Sequence, residues 1–209
     1  CVYCQNWDIS QQVRGKAVEE DELVALMFAL ESRGAHNINF VSPTHFALPI
    51  LCAIIRARSM GLKVPVVWNS GGYDSLEVLR ALDGWVEIYM PDTKYADNET
   101  AKRLSGIADY WDVMRANLVE MHRQVGDLEI RDGIAVKGLL VRHLVLPRGL
   151  SGAQEVIEFL ASRVSPRTYL NIMGQYRPCY QARRYADLMA DLDWVEFRAL
   201  KETARLIAR

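Results

Sequence analysis

Leu23, Leu26, Met27 and Leu30 recur at i, i+3, i+4 and i+7, the spacing of one apolar stripe along a helix. The pattern predicts a helix over Glu22–Ser32, stopped at Gly34. A short apolar run, Asn37–Val41, then predicts a strand that ends in Ser42-Pro43. A second stripe (Ala47, Ile50, Leu51, Ile54, Ile55) predicts a helix that stops near Gly61. "VPVVWNSGG" reads as a second strand ended by glycines, and Ser75 as the cap of a third helix that reaches Leu82 and stops at Gly84. Trp85–Met90 reads as a third strand.

The period then lengthens. Asn98–Gly106 and Asp109–Gln124 read as helices, the second with Tyr110, Val113, Met114, Leu118 and Met121 on one face. A hairpin turning at Arg131-Asp132-Gly133 feeds a strand over Leu139–Leu146. Ser151 with Gln154 has the capping-box pattern for a helix that ends at Arg163. "TYLNIMGQY" reads as the fifth strand, and Pro178–Leu192 and Leu200–Ala208 as two last helices. Strands that are mostly unbroken apolar runs, alternating with helices, predict an α/β fold with a parallel sheet covered by helices. Crossovers should be right-handed. The pattern fits both an open doubly wound sheet and a barrel, whole or partial. With no internal repeat or linker, it predicts one domain over residues 1–209.

Composition narrows the classes. Of the 209 residues, 50% are hydrophobic and 24% charged, enough for a sizeable core. The net charge of −1 offers no basic field for nucleic acid. No apolar run reaches the ~18 residues of a membrane span, and no secretory leader pattern is present. The four cysteines (Cys1, Cys4, Cys52, Cys179) do not form a secreted disulfide framework, which predicts a reducing, cytoplasmic setting. The chain does not begin with Met and reads like one entered midway.

In parallel α/β folds, loops and helix N-termini converge at the carboxyl ends of the strands. The residues that follow the strands here are Ser42-Pro43-Thr44-His45, Asn69-Ser70-Gly71-Gly72, Asp92-Thr93-Lys94-Tyr95 and Met173-Gly174-Gln175-Tyr176, with Arg142-His143 inside the fourth strand. Asp92 and Lys94 are two apart, so an extended backbone puts them on one face, where they suit a zwitterion or the polar end of an amino acid. An ordinary half-exposed salt bridge is the plain alternative. Arg142 and His143 point to opposite faces, and His143 reads as a satisfied core histidine. His45 lies in a loop after Pro43 and is a candidate for the rim. Asn69-Ser70-Gly71-Gly72 is either rim or a turn before a cap. No G-x-G-x-x-G or P-loop accompanies its glycines.

The chain opens with Cys-x-x-Cys, "CVYCQNWDIS". Two thiols three apart can share a metal or close a disulfide. Structural zinc wants four ligands. Here Cys52 reads as a buried small hydrophobe on a helix face, Cys179 as the start of a helix, and there is no His-x-x-x-His. A thioredoxin-like pair should follow a strand, and none precedes this one. Neither reading accounts for Tyr3 between the cysteines or Gln5-Asn6 after them. Closely spaced thiolates that hold an iron–sulfur cluster account for the pair better.

With Tyr3 as the aromatic, the pair resembles the tail of the C-x-x-x-C-x-Φ-C motif of the radical S-adenosylmethionine superfamily. Nearly the whole chain is similar to the activating-enzyme branch, related to pyruvate formate-lyase activating enzyme. The stretches "CVYCQNWDIS", "NFVSPTHF", "VVWNSGGYDSLEVLRALDG", "IYMPDTKYADNETAKRLSG", "GLLVRHLVLP" and "GQYRP" carry the likeness. The resemblance implies a partial (β/α)6 barrel of the TIM type, with the first strand missing from this chain. It implies a [4Fe-4S] cluster held by three cysteines, with S-adenosylmethionine (SAM) on the fourth iron. Reduction by a flavodoxin or ferredoxin then cleaves SAM to a 5′-deoxyadenosyl radical, which abstracts a hydrogen atom. In the activase branch the target is a glycine of a partner glycyl radical enzyme.

Residue by residue, the resemblance makes Cys1 and Cys4 the second and third cluster ligands, with the leading cysteine expected four places upstream of Cys1. Asn69 and Ser70 match a rim that touches the cofactor. Asp92 and Lys94 match an Asp-x-Lys pair near the SAM carboxylate, and Arg142 a strand arginine. Gln175 and Tyr176 match a place that contacts adenine or ribose. Thr44 and His45 stand where the family at large has Gly-Gly-Glu for the SAM amino group, which therefore needs another acceptor. Two other readings stay open: a non-redox barrel that binds a small zwitterion at the same rim, and a zinc-stapled structural domain.

Overall fold

The computed structural model describes residues 1–12 and 14–207. In chain order its helices are α1 (Trp7–Gln12), α2 (Glu20–Ser32), α3 (Ala47–Ser59), α4 (Leu76–Ala81), α5 (Asn98–Ser105), α6 (Tyr110–Val125), α7 (Ala153–Phe159) and α8 (Trp194–Ile207). Its strands are β1 (Ile38–Val41), β2 (Val66–Asn69), β3 (Ile88–Tyr89), β4 (Glu129–Arg131), β5 (Ile134–Leu144) and β6 (Tyr169–Met173). They form a six-stranded sheet in the order β1-β2-β3-β5-β4, with β6 also on β5. The pairs β1/β2, β2/β3 and β3/β5 are parallel, and the β4/β5 hairpin is antiparallel. This is the mostly parallel α/β sheet that the apolar runs predict, and it is not closed into a barrel. All four residues of β2 are buried, as expected of a central parallel strand. No described helix is long and apolar enough to cross a membrane.

The chain divides into two compact units. The sheet unit comprises Ala17–Asp92 and Ala116–Val141; the cysteine unit comprises Cys1–Lys16, Thr93–Arg115 and the chain from Arg142 onward. In the sheet unit, α2, α3 and β1 close on Val24, Met27, Ile38, Ala53, Ala57 and Leu62. The expected α2 stripe is corrected here. Leu26 and Leu30 are 47% and 44% exposed, and Val24 and Met27 form the buried face. The rotation is set by Glu31, on the same face, whose carboxylate accepts the backbone N–H groups of Lys63 and Val64 at 2.8 and 3.1 Å. Cys52 is also corrected: it is exposed, because α3 turns its small residues Ala53 and Ala57 inward. Ser75 caps α4 as predicted, its side chain accepting from Glu77 N. The third strand is shorter than its apolar run, and the hairpin turns at Asp132-Gly133, both at positive φ.

In the cysteine unit, α5 lies over the predicted stretch; Asp97 caps it and Gly106 ends it in the left-handed region. Val145, Ala153, Ile157, Ile172 and Leu200 form the core. The capping box is overturned: Gly152 stands at the helix start, while Ser151 is buried and bonded elsewhere, and Gln154 pairs with Glu158. After Phe159 the helix widens into a π turn over Leu160–Val164. Pro178–Leu192 is not a helix. It holds two 3-10 turns, Ala182–Arg184 and Ala186–Met189, because Tyr180 has φ +51°, which no α-helix accommodates. Cys179 therefore starts no helix. The last helix begins at Trp194 rather than Leu200; Ala208, its predicted end, lies outside the described residues.

Candidate functional site

Cys1 and Cys4 sit on one tight turn closed by Cys4 N donating to Cys1 O at 3.2 Å. The turn is tied on two sides: Val2 N donates to Leu104 O at the end of α5, and Gln181 N donates to Val2 O, both at 2.8 Å. Gln5 Nε2 donates to Gln175 O at 3.4 Å. Tyr3, between the cysteines, is a buried plug, edge-on to Tyr95 and to Tyr176 at centroid separations of 6.3 and 6.0 Å. The aromatic in the motif thus anchors a turn whose flanking cysteines lie nearer solvent. Trp7 stacks on Tyr180 at 5.7 Å beyond it.

Each thiol has a hydroxyl near it. Ser105 Oγ donates to Cys1 Sγ at 2.9 Å, and Ser10 Oγ lies 3.6 Å from Cys4 Sγ. Ser105 Oγ is in turn 2.7 Å from the hydroxyl of Tyr95, a fully buried residue whose pKa is pushed up to about 12, mainly by burial. Lys94 is held by its own backbone N–H, which donates to Tyr110 OH at 2.9 Å. Tyr176 spends its hydroxyl on Leu188 O at 2.9 Å; burial holds its pKa at about 12. Gln175 is exposed at the same turn.

A buried brace holds the segment that carries Lys94. Thr93 N donates to Arg142 O at 2.8 Å. His143 Nδ1 lies 2.7 Å from Thr93 O and Nε2 lies 3.0 Å from Ser151 Oγ. A carbonyl can only accept, so Nδ1 carries the proton and Nε2 accepts from Ser151, whose oxygen takes Leu146 N–H at 3.3 Å. His143 is the satisfied core histidine its position suggests. Arg142, half-buried, alternates with it along β5 as strand parity requires. Burial also alternates over 92–95, with Asp92 and Lys94 the less buried pair.

In the sheet unit the rim is organised by Asp74, which the sequence reading missed. This buried carboxylate accepts from Ser70 Oγ at 2.5 Å, Thr44 Oγ1 at 2.8 Å and Trp68 Nε1 at 3.4 Å. Buried Asn117 ties down the loop by donating to Gly72 O and Asp74 O at 2.9 and 2.8 Å. Thr44 and Ser70 therefore meet on one acceptor, although they lie 26 positions apart in sequence. Ser42 N donates to Asn69 O and Asp92 N to Ser70 O, at 2.8 and 2.9 Å. His45 stands exposed on the 3-10 turn Pro43–Phe46. Of the residues missed, Asp74 had a faint signal, a carboxylate just after a glycine pair and before a cap. Ser105 and Asn117 had none, since only folding brings them to their partners.

Among the described residues no three His, Cys, Asp or Glu side chains gather as a metal site. The donor set on the opening turn is two thiols, each with a serine hydroxyl within hydrogen-bond reach, which fits two corners of a thiolate-held cluster. No family model matches the chain. An uncharacterized protein of Methanocaldococcus jannaschii is 33% identical to it over 213 aligned positions, which take in 98% of this chain and 58% of the relative. The chain thus spans a little over half the length of that curated relative.

Proposed function

We propose that this chain is the core of a radical SAM oxidoreductase of the activating-enzyme-like branch, with the sheet as part of a (β/α)6 barrel. The observation that carries the reading is the Cys-x-Φ-C turn. Its aromatic is buried as an anchor, its two thiols lie nearer solvent, and one sulfur accepts a hydroxyl hydrogen bond. Cys1 and Cys4 would hold two corners of a [4Fe-4S] cluster, with the third cysteine upstream. When bound and reduced by a flavodoxin or ferredoxin, the cluster supplies the electron that cleaves SAM to methionine and a 5′-deoxyadenosyl radical.

The chain's own residues bind and orient. Lys94 and Arg142 would take the methionine carboxylate, and the His143 brace fixes the backbone between them. In the sheet unit, Asn69, Ser70 and Asp92 are the resemblance's cofactor contacts, with Asp92 for the amino group. Asp74 spends itself on Ser70 and Thr44, so it positions the rim rather than serving as a free acceptor. Thr44 and His45, with Gln175 and Tyr176, complete the assignment. Substrate is a hydrogen-atom donor, a glycine of a partner enzyme in the activase branch. The proposed setting is cytoplasmic, without nucleic acid or membrane.

The test is anaerobic reconstitution of the full-length protein with iron and sulfide, then dithionite and SAM. The expected result is a brown protein that forms 5′-deoxyadenosine. Stoichiometric zinc with no iron uptake would instead identify a zinc-stapled domain. SAM binding of equal strength with and without iron would identify a non-redox binding protein.

A further inference from the structure

We infer that Ser105 is a positioning residue for cluster reduction: its hydroxyl, ordered by Tyr95, hydrogen-bonds the Cys1 sulfur and raises the reduction potential of a cluster held there. The inference rests on the functional reading above and goes beyond it by giving roles to two residues outside the ligand set.

Proton counting fixes the direction of the relay. Ser105 has one hydroxyl proton, and it goes to Cys1 Sγ at 2.9 Å. Ser105 Oγ must therefore accept from Tyr95, 2.7 Å away. The Tyr95 proton is thereby committed to Ser105. Two hydroxyls point one way and end on a sulfur, and the first donation polarises the second. Burial keeps Tyr95 protonated, with its pKa at about 12, so the relay persists across the working pH range.

Packing fixes its position. The Tyr95 ring is fully buried, edge-on to Tyr3 and to Tyr110, at 6.3 and 5.6 Å. Ser105 is the last residue of α5, and Gly106 at φ +74° ends the helix there. The carbonyl end of a helix disfavours added negative charge. Leu104 O is already engaged by Val2 N, and the Ser105 hydroxyl supplies the donor on that side. Cys4 has a hydroxyl neighbour of its own, Ser10 Oγ at 3.6 Å, in a hydrogen bond where either atom can donate. When a flavodoxin or ferredoxin gives up one electron and the cluster gains it, negative charge on the cluster sulfurs grows. A donor on a ligating sulfur stabilises the reduced form, and hydrogen bonds to sulfur are a recognised determinant of cluster potential.

The experiment is an EPR-monitored redox titration of the reconstituted full-length protein. Ser105→Ala is expected to shift the one-electron equilibrium about tenfold toward the oxidised cluster, about 59 mV lower, with iron content unchanged. Ser105→Thr keeps the hydroxyl and the wild-type potential. Tyr95→Phe moves the potential the same way by a smaller step. Full cluster loading with an unchanged potential in Ser105→Ala and Tyr95→Phe overturns the relay and leaves the functional reading intact. A wild-type protein that takes up no cluster overturns both. Should Ser105→Ala fail to load, Tyr95→Phe and Ser105→Thr decide, because neither alters the backbone of the turn.

Discussion

Asp74 shows how one buried carboxylate can define a rim. Its oxygens take three side-chain donors, from Thr44, Ser70 and Trp68. Asp74→Ala leaves those donors without their acceptor and is expected to cost about 2–4 kcal/mol, read as a lower urea midpoint with an unchanged slope. Glu120 makes a different kind of contribution. Its carboxylate accepts from Arg123 at 2.8 and 2.9 Å and from Gln124 at 2.7 Å, and these bonds, Arg123 first, pull its pKa down to about 2. Because the folded pKa lies below the unfolded value of about 4.3, the stability it adds is complete above that pH and is lost as the pH falls through 2. Glu120→Gln should therefore unfold earlier than wild type in urea at pH 7, with the gap closing as the pH approaches 2. A gap that stayed constant would show that the charge plays no part. At this scale the sequence marked which residues are polar at strand ends. It did not mark Ser105 or Asn117, since a serine ending a helix and an asparagine inside one carry no local sign of a partner 104 or 45 positions away.

At the scale of elements, α5 and α4 lie where their caps place them, because Asp97, Gly106 and Ser75 satisfy helix-end groups within a few residues of themselves. Ser75→Ala is expected to cost about 1 kcal/mol in thermal or urea unfolding. Strand β5 carries a stricter requirement. Gly138 has φ +119°, and a Cβ there would meet Asp127 O at 2.3 Å, while its own N–H donates to Glu87 O at 2.8 Å. Gly138→Ala combines backbone strain with a clash against backbone and is expected to destabilise by about 3 kcal/mol or more, measured against a neutral surface substitution. The elements that were misread fail for reasons that their local sequence does not show. The Ser151–Gln154 pair has cap-box spacing, but buried His143 and Leu146 N claim the Ser151 hydroxyl. Pro178–Leu192 has helical composition, but Tyr180 at positive φ breaks it. In α2 the apolar positions allow two faces, and the hydrogen bonds of Glu31 select one.

At the scale of the whole molecule, the functional reading is tested by ligand uptake. Lys94→Ala in full-length protein is expected to weaken SAM binding about tenfold or more while leaving iron content unchanged, as for the loss of one charge-assisted hydrogen bond to a carboxylate. Loss of iron along with SAM would place Lys94 in support of the turn instead. The class of fold and the positions of most elements were legible in the chain alone, because apolar runs, caps and glycine stops act over a few residues and need no distant partner. Candidate chemistry was legible as far as residue type and strand end: two cysteines on one turn, an Asp-x-Lys, a Ser-Gly-Gly. Three-dimensional packing decided the rest. It chose which helix face is buried, turned His143 into a brace, set Thr44 and Ser70 on one carboxylate and put a serine proton on a cysteine sulfur. Those choices depend on hydrogen-bond partners that converge from distant parts of the chain, and local pattern carries no information about which of them will meet.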